Sequence, residues 1–244
     1  MPPSNDVSLL LAASRKLSRS LAHVEPVGVV AYVYNPLDYA DALVKAYLTR
    51  FGTGPKEVLF LGMNPGPFGM GQTGVPFGEV SFVRDWMKLE GKVSHPRHEH
   101  PKRPVEGLAC KRSEVSGARL WGAIRAKHEH PETFFARALV VNYCPLLFLG
   151  ETGANVTPDK LPKQVRADIE AACDEHLRSV VTILRPRAIV GVGAYAHEKA
   201  KQACGDVARQ LSILHPSPAS PAANKGWPLL AQQALEAADL PGLL

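Results

Sequence analysis

The sequence predicts an α/β domain in three layers, with a central, mainly parallel, four-stranded sheet flanked by helices. Two observations carry this prediction. Four short apolar runs, 57–62 (EVLFLG), 138–148 (ALVVNYCPLLF), 187–193 (RAIVGVG) and 209–218 (RQLSILHPSP), are continuous rather than alternating, as in strands buried on both faces. Helical patterns separate the runs, and strands alternating with helices build a parallel sheet covered on both sides. At 244 residues and 45% hydrophobic content, the chain can bury one large core and lies outside the disordered range. A single domain over 1–244 is expected, with residues 1–7 as a frayed tail.

In chain order, LLLAASRKLSRSLAHV (9–24) is amphipathic and carries Lys and Arg; it reads as a core-packing helix rather than a membrane-surface one. Asn35-Pro36 opens a helix ending near Gly52, because proline is pre-set for the first helical position. Run 57–62 is the first strand. Glu79 to Glu90 reads as a helix stopped by Gly91, and further helices are expected over 113–129, 161–185, 194–204 and 224–238. No internal repeat, low-complexity tract or linker interrupts the chain.

Net charge is +5, compatible with a polyanionic partner without establishing one. The segment 92–112 holds Lys92, Arg97, Lys102, Arg103, Lys111 and Arg112 against Glu99 and Glu106, so most of the excess sits there. It reads either as a solvated loop or as a phosphate-facing patch. Cys110, Cys144, Cys173 and Cys204 include no C-x-x-C pair, which argues against a zinc-ribbon or iron–sulfur site and for free thiols in a reducing, intracellular compartment. No apolar stretch approaches the roughly 20 residues of a membrane helix, and no charged segment precedes the short apolar run near the start, so no membrane partner is expected.

Between Gly62 and Gly78 the chain places six glycines and three prolines. Glycine opens backbone conformations that other residues avoid and proline fixes one, so such a loop is rigid and able to approach a ligand closely. Three runs end in chemically distinctive residues: Gly62 leads into Met63-Asn64-Pro65-Gly66, Val141 into Asn142, and Leu214 into His215. In parallel sheets, ligands sit beyond the carboxyl ends of the strands where strand order reverses. These ends are therefore expected to meet in one pocket. Singly, an Asn after a strand is a turn or cap residue and a His beside Pro a satisfied polar group.

The motifs GMNPGPFGMGQTGVPFGEV, VNYCPLLF and HPSPASPAANKGW, with EHPKRPVEGLAC and SEVSGARLWG in and after the basic segment, strongly resemble the single-strand-selective monofunctional uracil-DNA glycosylases, family 3 of that superfamily. The resemblance runs from about residue 25 to the C-terminus and implies a uracil-DNA glycosylase-like fold and cleavage of the N-glycosidic bond of deoxyuridine, in single- and double-stranded DNA, without cofactor or metal. Carried over, Asn64 holds the hydrolytic water and His215 donates a hydrogen bond to uracil O2. Asn142 reads the base edge, offering an acceptor to N3–H and a donor to O4, which cytosine would meet in reverse. Phe77 stacks on the base, Met63 supplies a backbone contact, and Gly66 leaves room near C5 that 5-hydroxymethyluracil would need. Ser217, Pro218, Ala219, Asn224, Lys225 and Gly226 face the DNA, as do Lys160, Lys163 and Arg166 in the segment 152–166. The vertebrate members carry an Arg immediately after H-P-S-P where this chain has Ala219, which puts duplex opening by a long cation in doubt. Gly71 in place of their Ala is minor.

Other readings are weaker. GVGAYA (191–196) fits a dinucleotide fingerprint but lacks a second unit and the ribose-holding acid, so a tight strand-to-helix turn accounts for it better. His95, His98, His100 and Cys110 do not follow a zinc-ligand spacing. A non-catalytic single-strand-binding module would explain the basic segment and Phe77 but has no need of Asn64 and His215. A monomer is expected, and the sequence does not rank uracil, 5-hydroxymethyluracil, xanthine and hypoxanthine.

Overall fold

A computed structural model describes residues 4–244. Residues 1–3 of the expected tail lie outside the described residues, and Asn5 to Val7 of it are helical. Helix α1 (Asn5–Ser20) starts at once because the Ser4 side chain caps it by accepting from Val7 N–H. Val7, Leu10, Ser14 and Leu17 are its buried stripe, at the three-to-four-residue spacing of one helix face. It packs against the long helix α7 (Lys163–Leu184), and Lys16 bonds Glu175 across the pair. Fully burying each Leu contributes about 1.5–3 kcal/mol, so core packing is the role of this segment.

The central sheet is parallel, in the order β3 (Ala138–Asn142), β2 (Val58–Gly62), β6 (Ala188–Val192), β7 (Arg209–Ile213). Every residue of β2, β3 and β6 is buried, which explains their unbroken apolar runs. The chain goes from β2 outward to β3, then returns past β2 to β6, so strand order reverses between β2 and β6. Helix α8 (Ala194–Cys204) follows β6 over the span expected, and α9 (Trp227–Ala237) closes the chain with Trp227 fully buried.

Run 138–148 is not one strand. Pro145 lacks the N–H a ladder needs; the chain leaves the parallel sheet after Asn142 and re-forms as β4 (Leu147–Leu149) in a separate antiparallel sheet, β1 (Tyr32–Tyr34), β4, β5 (Asn155–Val156). The sequence pattern did not reveal β1 and β5, which are three and two residues long. The helix expected over 36–52 is two, α2 (Pro36–Tyr39) and α3 (Asp41–Phe51), broken where Gly74 packs against Pro36 and Ala40. The helix expected to reach Glu90 shortens to a π-helical turn, Phe82–Trp86. Arg50 takes the Met87 carbonyl and Leu89 N–H returns to Val83 O, so the chain turns off at Lys88 before Gly91. Helix α5 (Val115–Lys127) and the short α6 (Pro131–Phe135) pack Trp121, Phe134 and Phe135 against the sheet.

Candidate active site

The carboxyl ends of β2, β3 and β7 converge on a cavity of about 500 Å³ lined by Met63, Asn64, Gly66, Phe77, Asn142, His215, Ser217 and Ala219. This is the convergence that three separate strand ends had suggested. Glu114, Ser116, Asn155, Thr157 and Ser220 complete the lining.

Asn142 ends β3 in register with Gly62. A Cβ on Gly62 would overlap Asn142 Oδ1 and stand 2.6 Å from the Phe77 ring, so only glycine lets the three groups form one floor. Asn142 is buried; its Nδ2 contacts Met70 Sδ at 3.1 Å, and its Oδ1 has no hydrogen-bond partner. A buried acceptor without a donor costs about 1–3 kcal/mol, and Asn142 lines the cavity.

Phe77 sits at φ 52°, a conformation of order 1 kcal/mol or more for a bulky residue. Its carbonyl is held by Trp121 Nε1 at 3.0 Å and by Glu79 N at 2.6 Å, which fix the ring over the floor. Asn64 lies past the end of β2 and directs Nδ2 toward Leu146 O at 3.5 Å. His215 follows β7 on a chain seated against Gly193, where a Cβ would stand 3.1 Å from the His215 Cβ. The glycine-bearing tract after β6 is thus a strand-to-helix turn with Gly193 at φ 96°, and it makes room for His215. Burial holds the His215 imidazole below its usual range, so the ring is neutral at pH 7. It lies 5.9 Å from Phe77 between centroids.

The glycine-rich loop is braced from behind. Helix α4 (Met70–Thr73) carries the buried Gln72, which donates to Pro67 O (2.9 Å) and Pro104 O (3.0 Å) and accepts from Glu106 N (2.7 Å) and Gly107 N (3.2 Å). One side chain therefore ties the cavity loop to the basic segment. Glu114 caps α5, accepting from Ser116 N and Gly117 N; burial raises its carboxyl against the lowering pull of those bonds. Arg119, one turn further, donates to Pro216 O (3.2 Å), Ser217 O (3.3 Å) and Asn224 Oδ1 (2.8 Å). Asn224 in turn donates to Pro218 O at 2.8 Å, closing a small network under the loop that follows His215.

A sequence model of the "Uracil DNA glycosylase superfamily" matches residues 50–237. A "Single-strand selective monofunctional uracil-DNA glycosylase" of Rattus norvegicus is 52% identical over 90% of this chain and 79% of its own length; the Bos taurus protein of that name is 49% identical over 94% and 85%. This chain belongs to the uracil-DNA glycosylase superfamily. A solved structure of wild-type Pedobacter heparinus SMUG2 shares the fold at TM-score 0.64 and 18% identity, covering 93% of this chain and 97% of that one.

For a member of this superfamily, the placement of the remaining predicted residues is uneven. Pro218, Asn224, Lys225 and Gly226 lie near the cavity on the loop leading to α9 but do not line it. Asn224 has both ends of its amide engaged, so it braces the loop. Lys160 pairs with Asp159 (3.2 Å), and Arg166 bonds Asp159 O and approaches Glu170 at 4.0 Å; Lys163 is exposed at the start of α7. His95 bonds Glu99, His100 bonds Glu151 O and Lys102 N, and Cys110 points to Arg112 O, so these residues are engaged separately. All four cysteines are buried free thiols, and no helix among the described residues is long and apolar enough to cross a membrane. Glu114 and Arg119 were missed as site residues, although Glu114 stands where a cap precedes an apolar-periodic run, a readable signal.

Proposed function

We propose that this chain is a monofunctional uracil-DNA glycosylase that hydrolyses the N-glycosidic bond of deoxyuridine in DNA, with Asn64 and His215 as its catalytic residues and Asn142, Phe77, Gly66 and Met63 holding the base. The observation that carries the reading is the unpartnered Oδ1 of Asn142, a residue that lines the cavity. Uracil N3–H supplies the donor it lacks, and Nδ2 is available to O4 in place of its weak sulfur contact. Cytosine presents an acceptor at N3 and a donor at its exocyclic amine, and is refused.

Bond cleavage builds positive charge on the sugar and negative charge on uracil O2. A neutral His215 ring donates to O2 without the desolvation cost of a buried imidazolium. Asn64 spends Nδ2 on Leu146 O and keeps its carbonyl to accept from the attacking water. An amide is no general base, so its work is positioning. At Gly66 a Cβ would meet Glu114 Cγ at 3.4 Å, an ordinary contact. Packing does not demand a glycine there, and we assign it the space beside the base that a 5-hydroxymethyl group would need.

Ser217, Pro218, Ala219, Lys225 and Gly226 are assigned to the DNA backbone, with Asn224 bracing them and Lys163 contributing from the second segment, where Lys160 and Arg166 are held by acidic neighbours. The substrate is single- or double-stranded DNA, the protein acts as a monomer, and its free thiols suit a reducing intracellular setting. No lysine lines the cavity among the described residues, so no Schiff base forms and the abasic strand is left intact. The test is incubation with a single-stranded uracil-containing oligonucleotide in EDTA, measuring free uracil and alkali-labile sites. Tight binding without uracil release would instead support a non-catalytic single-strand-binding module.

A further inference from the structure

We infer that Arg112, stacked on Phe68, and the adjacent Lys111 form a second phosphate-binding surface at the rim of the cavity, separate from the Ser217–Lys225 loop and engaging the DNA strand beside the extruded nucleotide. This rests on the reading of the cavity given above. Phe68 stands two residues after Gly66, and Arg112 two residues before Glu114; Gly66 and Glu114 both line the cavity. A Cβ on Gly69 would lie 3.0 Å from Glu114 Cγ, so the two segments abut and bring Phe68 and Arg112 together at the mouth.

The Arg112 guanidinium carbon lies 3.9 Å from the Phe68 ring centroid, and that of Arg103 lies 5.3 Å from it. Arg103 is turned inward, with Nε buried and one terminal nitrogen on Lys102 O. Arg112 and Lys111 are exposed. Among the described residues, Lys102, Arg103, Lys111 and Arg112 enter no ion pair with a carboxylate, whereas Lys16, Arg50, Arg137 and Lys199 elsewhere are paired. A planar guanidinium laid on an aromatic face loses little further freedom when it binds, and its N–H edges remain free to fork onto a phosphate. Gln72 fixes this ledge to the cavity loop through Pro104, Glu106 and Gly107, so the cations hold their distance from the reacting base. On the loop after His215 the rim residue is the uncharged Ala219; the Phe68 side supplies cations that this rim position does not.

The test compares wild type with the Lys111→Gln/Arg112→Gln double variant. A single-stranded oligonucleotide carrying a tetrahydrofuran abasic analogue is titrated from about 50 to 300 mM salt. Two lost contacts flatten the log–log salt slope by about 1.4 and raise Kd at 0.1 M about 25-fold, at about 0.7 per phosphate on single strands. Lys45→Gln, an exposed cation on α3, keeps the wild-type slope. A double variant that melts as wild type yet keeps the wild-type slope overturns the inference. Uracil release by the wild type from the matching uracil oligonucleotide is measured alongside: no release sinks the proposed function, while release together with an unchanged slope sinks only this surface.

Discussion

Replacing Asn142 by Asp keeps the size and shape of the side chain and changes only its hydrogen-bonding pattern. In the native site Oδ1 has no partner and Nδ2 has only Met70 Sδ, so the carboxylate enters a buried position with no donor waiting. Against bound uracil, the second oxygen faces O4, acceptor against acceptor. Losing one base-edge pair costs about 1–3 kcal/mol, so at pH 8 uracil excision is expected to fall by roughly one to two orders of magnitude. Burial disfavours the charged form, which raises the introduced carboxyl above the usual range. Once protonated, it offers one donor and one acceptor, the pattern of the native amide. Excision by Asn142→Asp should therefore recover as pH falls from 8 toward 5, while Asn142→Ala stays uniformly low. The assay is single-turnover uracil release from a single-stranded oligonucleotide, with unpaired cytosine as competitor substrate; a trace of cytosine release is expected only for the Asp variant. Near wild-type uracil excision by Asn142→Asp at pH 8 would remove Asn142 as the base reader.

His215→Ala is expected to slow the chemical step by about 10²–10³, or 2.7–4 kcal/mol, the usual loss for one oxyanion donor. The wild-type rate should stay level from pH 8 to 7, because burial moves His215 down from its usual range and so keeps the ring mainly neutral there; a tenfold fall per unit rise in pH would show that the charged ring acts. Burial also holds His128 low and His176 at about 4. The unfolded chain then binds protons first, so stability should decline as pH falls from about 6.5 toward 4; thermal melts at constant ionic strength measure it. The His176 shift corresponds to at most about 3–4 kcal/mol, reduced to about 1–2 kcal/mol because the residue is only part-buried. Gln72→Leu strands two carbonyls and two amides and should cost about 2–4 kcal/mol, read as a fall in Tm with weaker excision. Arg119→Met keeps the stem but cuts the bonds to Pro216, Ser217 and Asn224; it should lower the saturating single-turnover rate by roughly tenfold or more, since loop misplacement of about 1 Å is that costly, with Arg119→Lys restoring part of it. An unchanged rate would make Arg119 a packing residue only.

The parallel sheet was legible because β2, β3 and β6 are buried on both faces and so have unbroken apolar sequences. The second sheet was not, because strands of two or three residues at an edge need no such run. In the site, legibility divides by the same physics. Asn64, Asn142 and His215 stand at the carboxyl ends of strands, where a polar residue interrupts an apolar run and local sequence exposes it. Three of the four partners of Gln72 lie 32 to 35 residues away and those of Arg119 lie 97 to 105 away, and nothing nearby in sequence distinguishes them from surface residues. The two groups also differ in how far their hydrogen-bonding capacity is used. Gln72 is saturated at rest with four bonds and Arg119 makes three, while Asn142 Oδ1 is left without a partner. A braced loop keeps an unpartnered Asn142 from collapsing onto its neighbours, and on the proposed reading the missing donor is the N3–H of a bound uracil.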